Sequence, residues 1–318
     1  MQKTHKRKQQ SSQSSSIKSA RWSKTIIVNS KGEPYPDHLR PTPDECRAVR
    51  DTLLANHGFP KEFIKYRRKR LVVQDSKNGD KNVILESSVS SEALGDEGDD
   101  DVEPKETVLD GLVSTILSQN TTDVNSQRAF ASLKSSFPTW EDVLAAEKKQ
   151  IEDAIRCGGL APTKASCIKG ILESLLAKRG KLCLEYLRGL SIEEIKAELS
   201  HFKGIGPKTV ACVLMFQLQQ DDFPVDTHIF QISKSIGWLP AMSDLKKAYI
   251  HLNSRIPDDL KFDLNCLLFT HGKICRRCSK KGDSRSSGGT CSSPCPLLAY
   301  CNDAQKPNEM LKSLDSVL

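Results

Sequence analysis

Apolar residues are scarce in this sequence, and nowhere do they form a long run. Only 37% of the 318 residues are hydrophobic, against 27% charged. No stretch approaches the length of a membrane span, so a soluble protein without membrane contact is expected. Also missing is a secretory hydrophobic region ahead of the 11 cysteines. That argues against the disulfides of a secreted chain and for reduced thiols or a bound metal. Acid is absent from residues 1–24, which carry seven Lys/Arg among many Ser and Gln. Hairpin signals are lacking and period-two alternation nearly so, which leaves little room for strands.

What remains is polar, basic and helical. Lys and Arg number 47 against 40 acids, a formal charge of +7, a mild excess that suits a nucleic-acid partner. The length allows one large or two ordinary domains with a real core. Residues 1–40 read as a basic disordered tail. Its run His5-Lys6-Arg7-Lys8 has the composition of a nuclear address, while its Ser-rich, acid-free character also fits a chloroplast or mitochondrial transit peptide. The nucleus is the expected compartment and an organelle the alternative. A helix is expected from about Asp44 to the basic run Tyr66-Arg67-Arg68-Lys69-Arg70. Residues 71–104, rich in Ser, Gly and Asp, read as a disordered acidic insert interrupting a fold.

From Thr107 the pattern is helix after helix. Leu109, Leu112, Val113, Ile116 and Leu117 form one apolar stripe, and Ile168, Ile171, Leu172, Leu175 and Leu176 another. Thr139 to Asp142 and Ser191 to Glu194 have the spacing of capping boxes. Ser243 is expected to cap a helix to about Asn253, and Pro257 to open one to about Phe269. The fold class expected is all-α.

The stretch "HFKGIGPKTVAC" at 201–212 resembles a phosphate-holding loop. A Walker A loop needs glycine directly before its lysine, yet Pro207 stands there, and amphipathic helix rather than strand precedes it. No nucleotide cofactor is therefore expected. The alternative is helix, tight Gly204-Ile205-Gly206 turn, helix, with Pro207 suited to the first helical position. The glycines permit positive φ, and amides at a helix start can grip a DNA backbone without regard to sequence. An ordinary pair of packed helices explains the glycines alone equally well. Lys208 adds more, because the helix start and partial burial would both favour its neutral, nucleophilic form. Asp226 follows in "FPVDTHIFQI", beside Thr227 as a possible cap, near enough in sequence to fold back toward the lysine.

"FKGIGPKTV" followed by "PVDTHIF" resembles the helix-hairpin-helix plus Gly/Pro-Asp motif of the endonuclease III-type DNA glycosylase superfamily. The likeness extends over about residues 105–301. It implies two helical lobes around a DNA-binding cleft, the hairpin lying at about 191–217. One lobe would be a bundle over 105–222, and the other would join 41–70 to 223–318. By this resemblance Lys208 attacks the sugar of a flipped nucleotide and Asp226 assists. Gly204, Ile205, Gly206 and Thr209 hold the DNA backbone. Gln119 or Asn120, in "TILSQNTTD", enters the hole left by the base, and Leu160, in "GGLAPTKA", is a second wedge. His228 lines the site or is an ordinary core histidine. Lys203 and Lys273 would add phosphate contacts. The activity implied is a bifunctional glycosylase and abasic-site lyase acting on oxidised pyrimidines in double-stranded DNA, as a monomer. "SQNTTD" and "FPVDTHIFQISKSIGWLP" are also similar to the plant DEMETER-type demethylases, so 5-methylcytosine or mismatched thymine or uracil is the alternative substrate. A non-catalytic DNA clamp would need neither Lys208 nor Asp226.

Five cysteines crowd the C-terminal region: Cys275, Cys278, Cys291, Cys295 and Cys301, after His271-Gly272. Many relatives hold a [4Fe–4S] cluster on four cysteines here. The resemblance gives Cys275, Cys291, Cys295 and Cys301 as its ligands, with Cys278 able to replace Cys275. The spacing departs from the family pattern through the insert "SKKGDSRSSGGT" and a longer middle step. Zinc on Cys275, Cys278, Cys291 and Cys295 is the rival reading, uncoordinated cysteine or a zinc-dependent scaffold protein a further one. Cys167 and Cys212 are expected in the core.

Overall fold

Short polar side chains open most of the helices. The computed structural model describes residues 33–70, 106–275, 277–278 and 294–302, and no strand occurs among them. The expected N-terminal tail and acidic insert, apart from their edges, lie outside the described residues, as does Cys291. The described residues divide into two units, those within 113–210 and those within 33–112 and 211–302. Residues 106–112 and 211–222 thus belong with the second unit rather than with the expected bundle. The division falls inside two helices, α2 (Val108–Leu117) and α8 (Pro207–Cys212).

In the first unit, α3 (Asp123–Ser136) is capped by Thr122, whose side chain accepts from the Asn125 amide. The boxes foreseen at Thr139/Asp142 and Ser191/Glu194 open α4 (Trp140–Ala145) and α7 (Ile192–Ser200). Between them lie α5 (Lys148–Ala154) and α6 (Ala161–Arg179), the latter ending on Gly180 in the left-handed conformation. The α6 stripe buries Ile168, Ile171, Leu172 and Leu175, whereas Leu176 is exposed. Leu133, Val143, Ile151, Ile195 and Leu199 complete this core.

In the second unit α1 (Pro43–His57) opens on a Thr42/Glu45 capping box and ends at Gly58. The single helix expected from Asp44 to Arg70 is therefore two pieces. Gly58 takes a positive φ and Pro60 restarts the chain in a turn over Lys61–Phe63, with helix again over 64–70. Asp244, not Ser243, caps α10 (Leu245–Arg255), and α11 runs Asp258–Ile274, five residues past the expected end. Helix α11 packs on α1 and on α9 (Thr227–Ser235). Leu53, Phe223, Ile229, Ile232, Trp238, Leu252, Leu264 and Leu268 form the core between them. A short α12 (Leu298–Asn302) follows.

Candidate functional site

The hairpin belongs to the first unit as far as Val210. Helix α7 ends at His201, the turn passes through Gly204 at φ 94°, and Pro207 opens α8. Only Gly204 uses the left-handed freedom expected of both glycines; Gly206 does not. A Cβ on Gly204 would stand 2.8 Å from Cys167 Sγ, so the position requires glycine on two counts. Cys167 in turn donates to the Lys203 carbonyl at 3.4 Å. The Ile205 amide is turned inward to the Phe202 carbonyl at 3.2 Å. It is thus not among the outward amides that the turn was expected to offer.

Lys208 stands in the first turn of α8 with its side chain exposed. The partial burial expected for it is absent. Thr209, next to it, is buried, and its hydroxyl accepts from Gln119 Nε2 at 3.1 Å. Thr209 therefore braces Gln119 rather than facing outward. Asn120 is exposed and left-handed, at φ 52°. Leu160 has the same φ and is 53% exposed. For a large apolar residue that combination is costly twice over, in backbone and in hydration. A buried lysine, Lys164, holds both loops: its Nζ donates at 2.8 Å to the Leu117 carbonyl and at 2.8 Å to that of Gly158.

Asp226 belongs to the second unit, where it is buried and is itself the cap of α9. Its Oδ1 accepts from the Ile229 amide at 2.8 Å. Thr227, considered as a cap, is the first helical residue instead. Three side chains that sequence reasoning missed fix the loop leading to Asp226. Asn253 brackets Phe223, accepting from its amide at 2.8 Å and donating to its carbonyl at 3.1 Å. Asn265, buried on α11, donates to the Pro224 carbonyl at 2.8 Å. The buried Asp222 carboxylate accepts from the Tyr249 hydroxyl and from the Phe223 amide at 2.7 Å. His228 is half-buried, and its Nδ1, itself buried, has no hydrogen-bond partner among the described residues. Its Cβ would stand 2.5 Å from any Cβ on Gly272.

At the C-terminal end of the second unit, donor atoms of His271, Cys275, Cys278 and Cys295 all lie within 4.8 Å of one another. Cys301 is not in this group; its thiol donates to the Leu297 carbonyl at 3.4 Å. Burial, with His57 beside it, pulls the His271 imidazole down to about 4, so it is neutral. In a [4Fe–4S] cube each thiolate binds a different iron, with the cube between the donors. Four donors this close leave room for one ion, so they do not fit the cube.

A turn of positive φ between two helices, a lysine just beyond it and an aspartate capping the next long helix define a helix-hairpin-helix protein of the Gly/Pro-Asp kind. Residues 113–258 match the family model described as HhH-GPD superfamily base excision DNA repair protein. A protein of Arabidopsis thaliana, provisionally named a DNA glycosylase, is 59% identical over 85% of this chain and 89% of its own length. The DNA glycosylase/AP lyase ROS1 of the same plant is 28% identical over 46% of this chain, but over only 12% of its own length. Endonuclease III of Sulfolobus acidocaldarius is 29% identical over 52% of this chain and 77% of that protein. Among solved structures, a non-covalent endonuclease III–DNA complex superposes with a TM-score of 0.50 at 22% identity, over 62% of this chain and 84% of that one. At that identity the likeness is one of fold. The chain belongs to the HhH-GPD superfamily of base excision DNA repair proteins.

Proposed function

We propose that this protein is a bifunctional DNA glycosylase and abasic-site lyase that removes oxidised pyrimidines from double-stranded DNA. The observation that carries the reading is the pair of functional groups built into two helix starts. Lys208 is exposed in the first turn of α8, and Asp226 is buried and oriented as the cap of α9. A clamp that only grips a backbone needs neither. The relatives named as glycosylases, and ROS1 as a glycosylase/AP lyase, support the same activity.

The chemistry requires a flipped nucleotide, since the sugar carbon is unreachable within the stack. While still ionised, the Asp226 carboxylate stabilises the positive charge developing on the sugar, and it takes the proton that Lys208 gives up as its amine attacks. The amine forms a bond to C1′ as the glycosidic bond breaks and the base departs. Ring opening then puts the proton on O4′ and gives the Schiff base. Loss of a C2′ proton expels the 3′ phosphate and nicks the strand. Asn120 or Gln119 enters the vacated space and Leu160 is the second wedge, the left-handed Leu160 holding its side chain out toward DNA. The Cys/His cluster is a structural metal centre in this reading. The resemblance expects [4Fe–4S] there, with Cys291 among the ligands; the donor geometry favours another occupant, argued below. The protein acts as a monomer in the nucleus, sent there by its basic N-terminal run.

Incubation with duplexes bearing oxidised pyrimidine, 5-methylcytosine, mismatched thymine or uracil, and abasic sites tests the reading, with base release and nicking scored separately. Oxidised pyrimidine is expected to be released and nicked, and borohydride to trap a covalent adduct. Preference for 5-methylcytosine would instead assign the activity suggested by the likeness to ROS1. An adduct that persists in Lys208→Gln would sink the lyase mechanism.

A further inference from the structure

The end of α11 and the segment before α12 bring four donors together, a group the base-excision chemistry leaves unused. His271 and Cys275 lie one helical turn apart, Cys275 being the residue that ends α11. Cys278 follows after a two-residue step, and Cys295 arrives from the segment before α12. The Cys278 and Cys295 sulphurs are 3.8 Å apart, and His271 Nε2 is 3.5 Å from Cys295 Sγ. A tetrahedral zinc with bonds of about 2.3 Å to sulphur and 2.0 Å to nitrogen sets its sulphurs about 3.8 Å apart, each about 3.5 Å from the nitrogen. Both separations match a single ion.

We propose that His271, Cys275, Cys278 and Cys295 bind one zinc ion as a Cys3His structural site, in place of an iron–sulfur cluster. The histidine is prepared for it. His271 is completely buried, and its Nδ1 lies 2.9 Å from Nε2 of His57 on α1. A proton on Nδ1, donated to His57, leaves the Nε2 lone pair facing the thiols, the arrangement that orients histidine ligands in metal sites generally. The three thiols release their protons as they ligate. Cys278 and Cys295 pack against the same core as Leu53, Leu264 and Leu297, so the ion would tie α1, α11 and the C-terminal segment together. Cys301, the ligand a cube would need from this segment, is turned to its own backbone instead.

The test is metal analysis of the full chain, purified without oxygen from cells supplied with both zinc and iron. One zinc per chain is expected, with no iron, no sulphide and no visible charge-transfer band. X-ray absorption of the wild-type protein is expected to show three sulphurs and one nitrogen on zinc, a measurement that needs no variant to fold. His271→Asn and Cys278→Ser are expected to lose the ion, Cys301→Ser to keep it, and His57→Ala to bind it about 10- to 100-fold more weakly. Stoichiometric iron and sulphide retained by Cys278→Ser and lost by Cys301→Ser, four sulphurs around zinc, or no metal at all would each overturn the proposal. Every readout is metal content or coordination, so the outcome does not depend on whether the chain excises bases.

Discussion

The ammonium of Lys164 closes the C-terminal end of α2 and the 156–158 turn at once, through the carbonyls of Leu117 and Gly158 at 2.8 Å each. Both carbonyls lie within three residues of a side chain proposed to enter DNA, Gln119 or Asn120 on one side and Leu160 on the other. Lys164 is therefore placed to position both of these proposed wedges. Lys164→Met fills the same volume but leaves two buried acceptors without a donor, each costing about 1–3 kcal/mol. A lower denaturant midpoint is expected, with weakened binding to duplex containing an abasic site. Unchanged stability in Lys164→Met would show that the two loops hold their shape without it.

Gly204 offers a separation of two causes in one position. Alanine there meets the left-handed cost of about 1–2 kcal/mol and, independently, the Cys167 sulphur 2.8 Å away. Gly204→Ala is expected to destabilise the protein and weaken DNA binding. Adding Cys167→Ala removes the clash but not the backbone cost, so the double variant should recover part of the lost stability. Full recovery would mean that the conformation of the turn costs nothing.

What was legible in the sequence was local. The boxes at Thr139 and Ser191 need only four consecutive residues, and they open helices where expected. The lysine and aspartate motifs were likewise short. Errors arose where two local signals competed: Ser243 and Asp244 both cap well, and the polar run past Gly58 concealed the break at Gly58 and Pro60. The supporting side chains were illegible for a different reason. Asn253 reaches back 30 residues, Asn265 41 and Lys164 47, to backbone carbonyls that carry no sequence signature. The same holds for His271, which in sequence only precedes the cysteine cluster; His57, 214 residues earlier, is what orients it.

Asp226 carries a structural task and a proposed chemical one, and they can be pulled apart. Asparagine caps helices about as well as aspartate, so Asp226→Asn should keep the amide of Ile229 satisfied and the melting temperature near wild type. Base release should nevertheless fall by about 10²- to 10⁴-fold, the usual scale for losing a positioned acid–base group. Asp226→Ala should lose the cap as well, about 1 kcal/mol. Asp226→Asn with wild-type turnover would remove the carboxylate from the mechanism.

His251 gives the second unit a dependence on pH. It is fully buried, and its Nε2 lies 2.7 Å from the Arg40 carbonyl. A carbonyl only accepts, so Nε2 carries the proton and Nδ1 is bare. The groups facing it are mixed. Glu33 stands 3.7 Å from Nδ1 but is itself paired with Arg255 at 2.5 Å, and the His38 ring lies 5.6 Å away. Burial dominates and lowers the pKa from 6.5, the Arg40 bond and Glu33 opposing it. With the folded value depressed, the unfolded chain binds this proton more readily between the two values. The stability is thus fully present above about 6.5 and lost as pH falls from there through the folded value. Urea midpoints measured from pH 8 down to pH 5 are expected to fall more steeply for wild type than for His251→Gln, whose amide can still donate to Arg40 but does not titrate. Parallel curves for the two proteins would place the acid sensitivity in other groups.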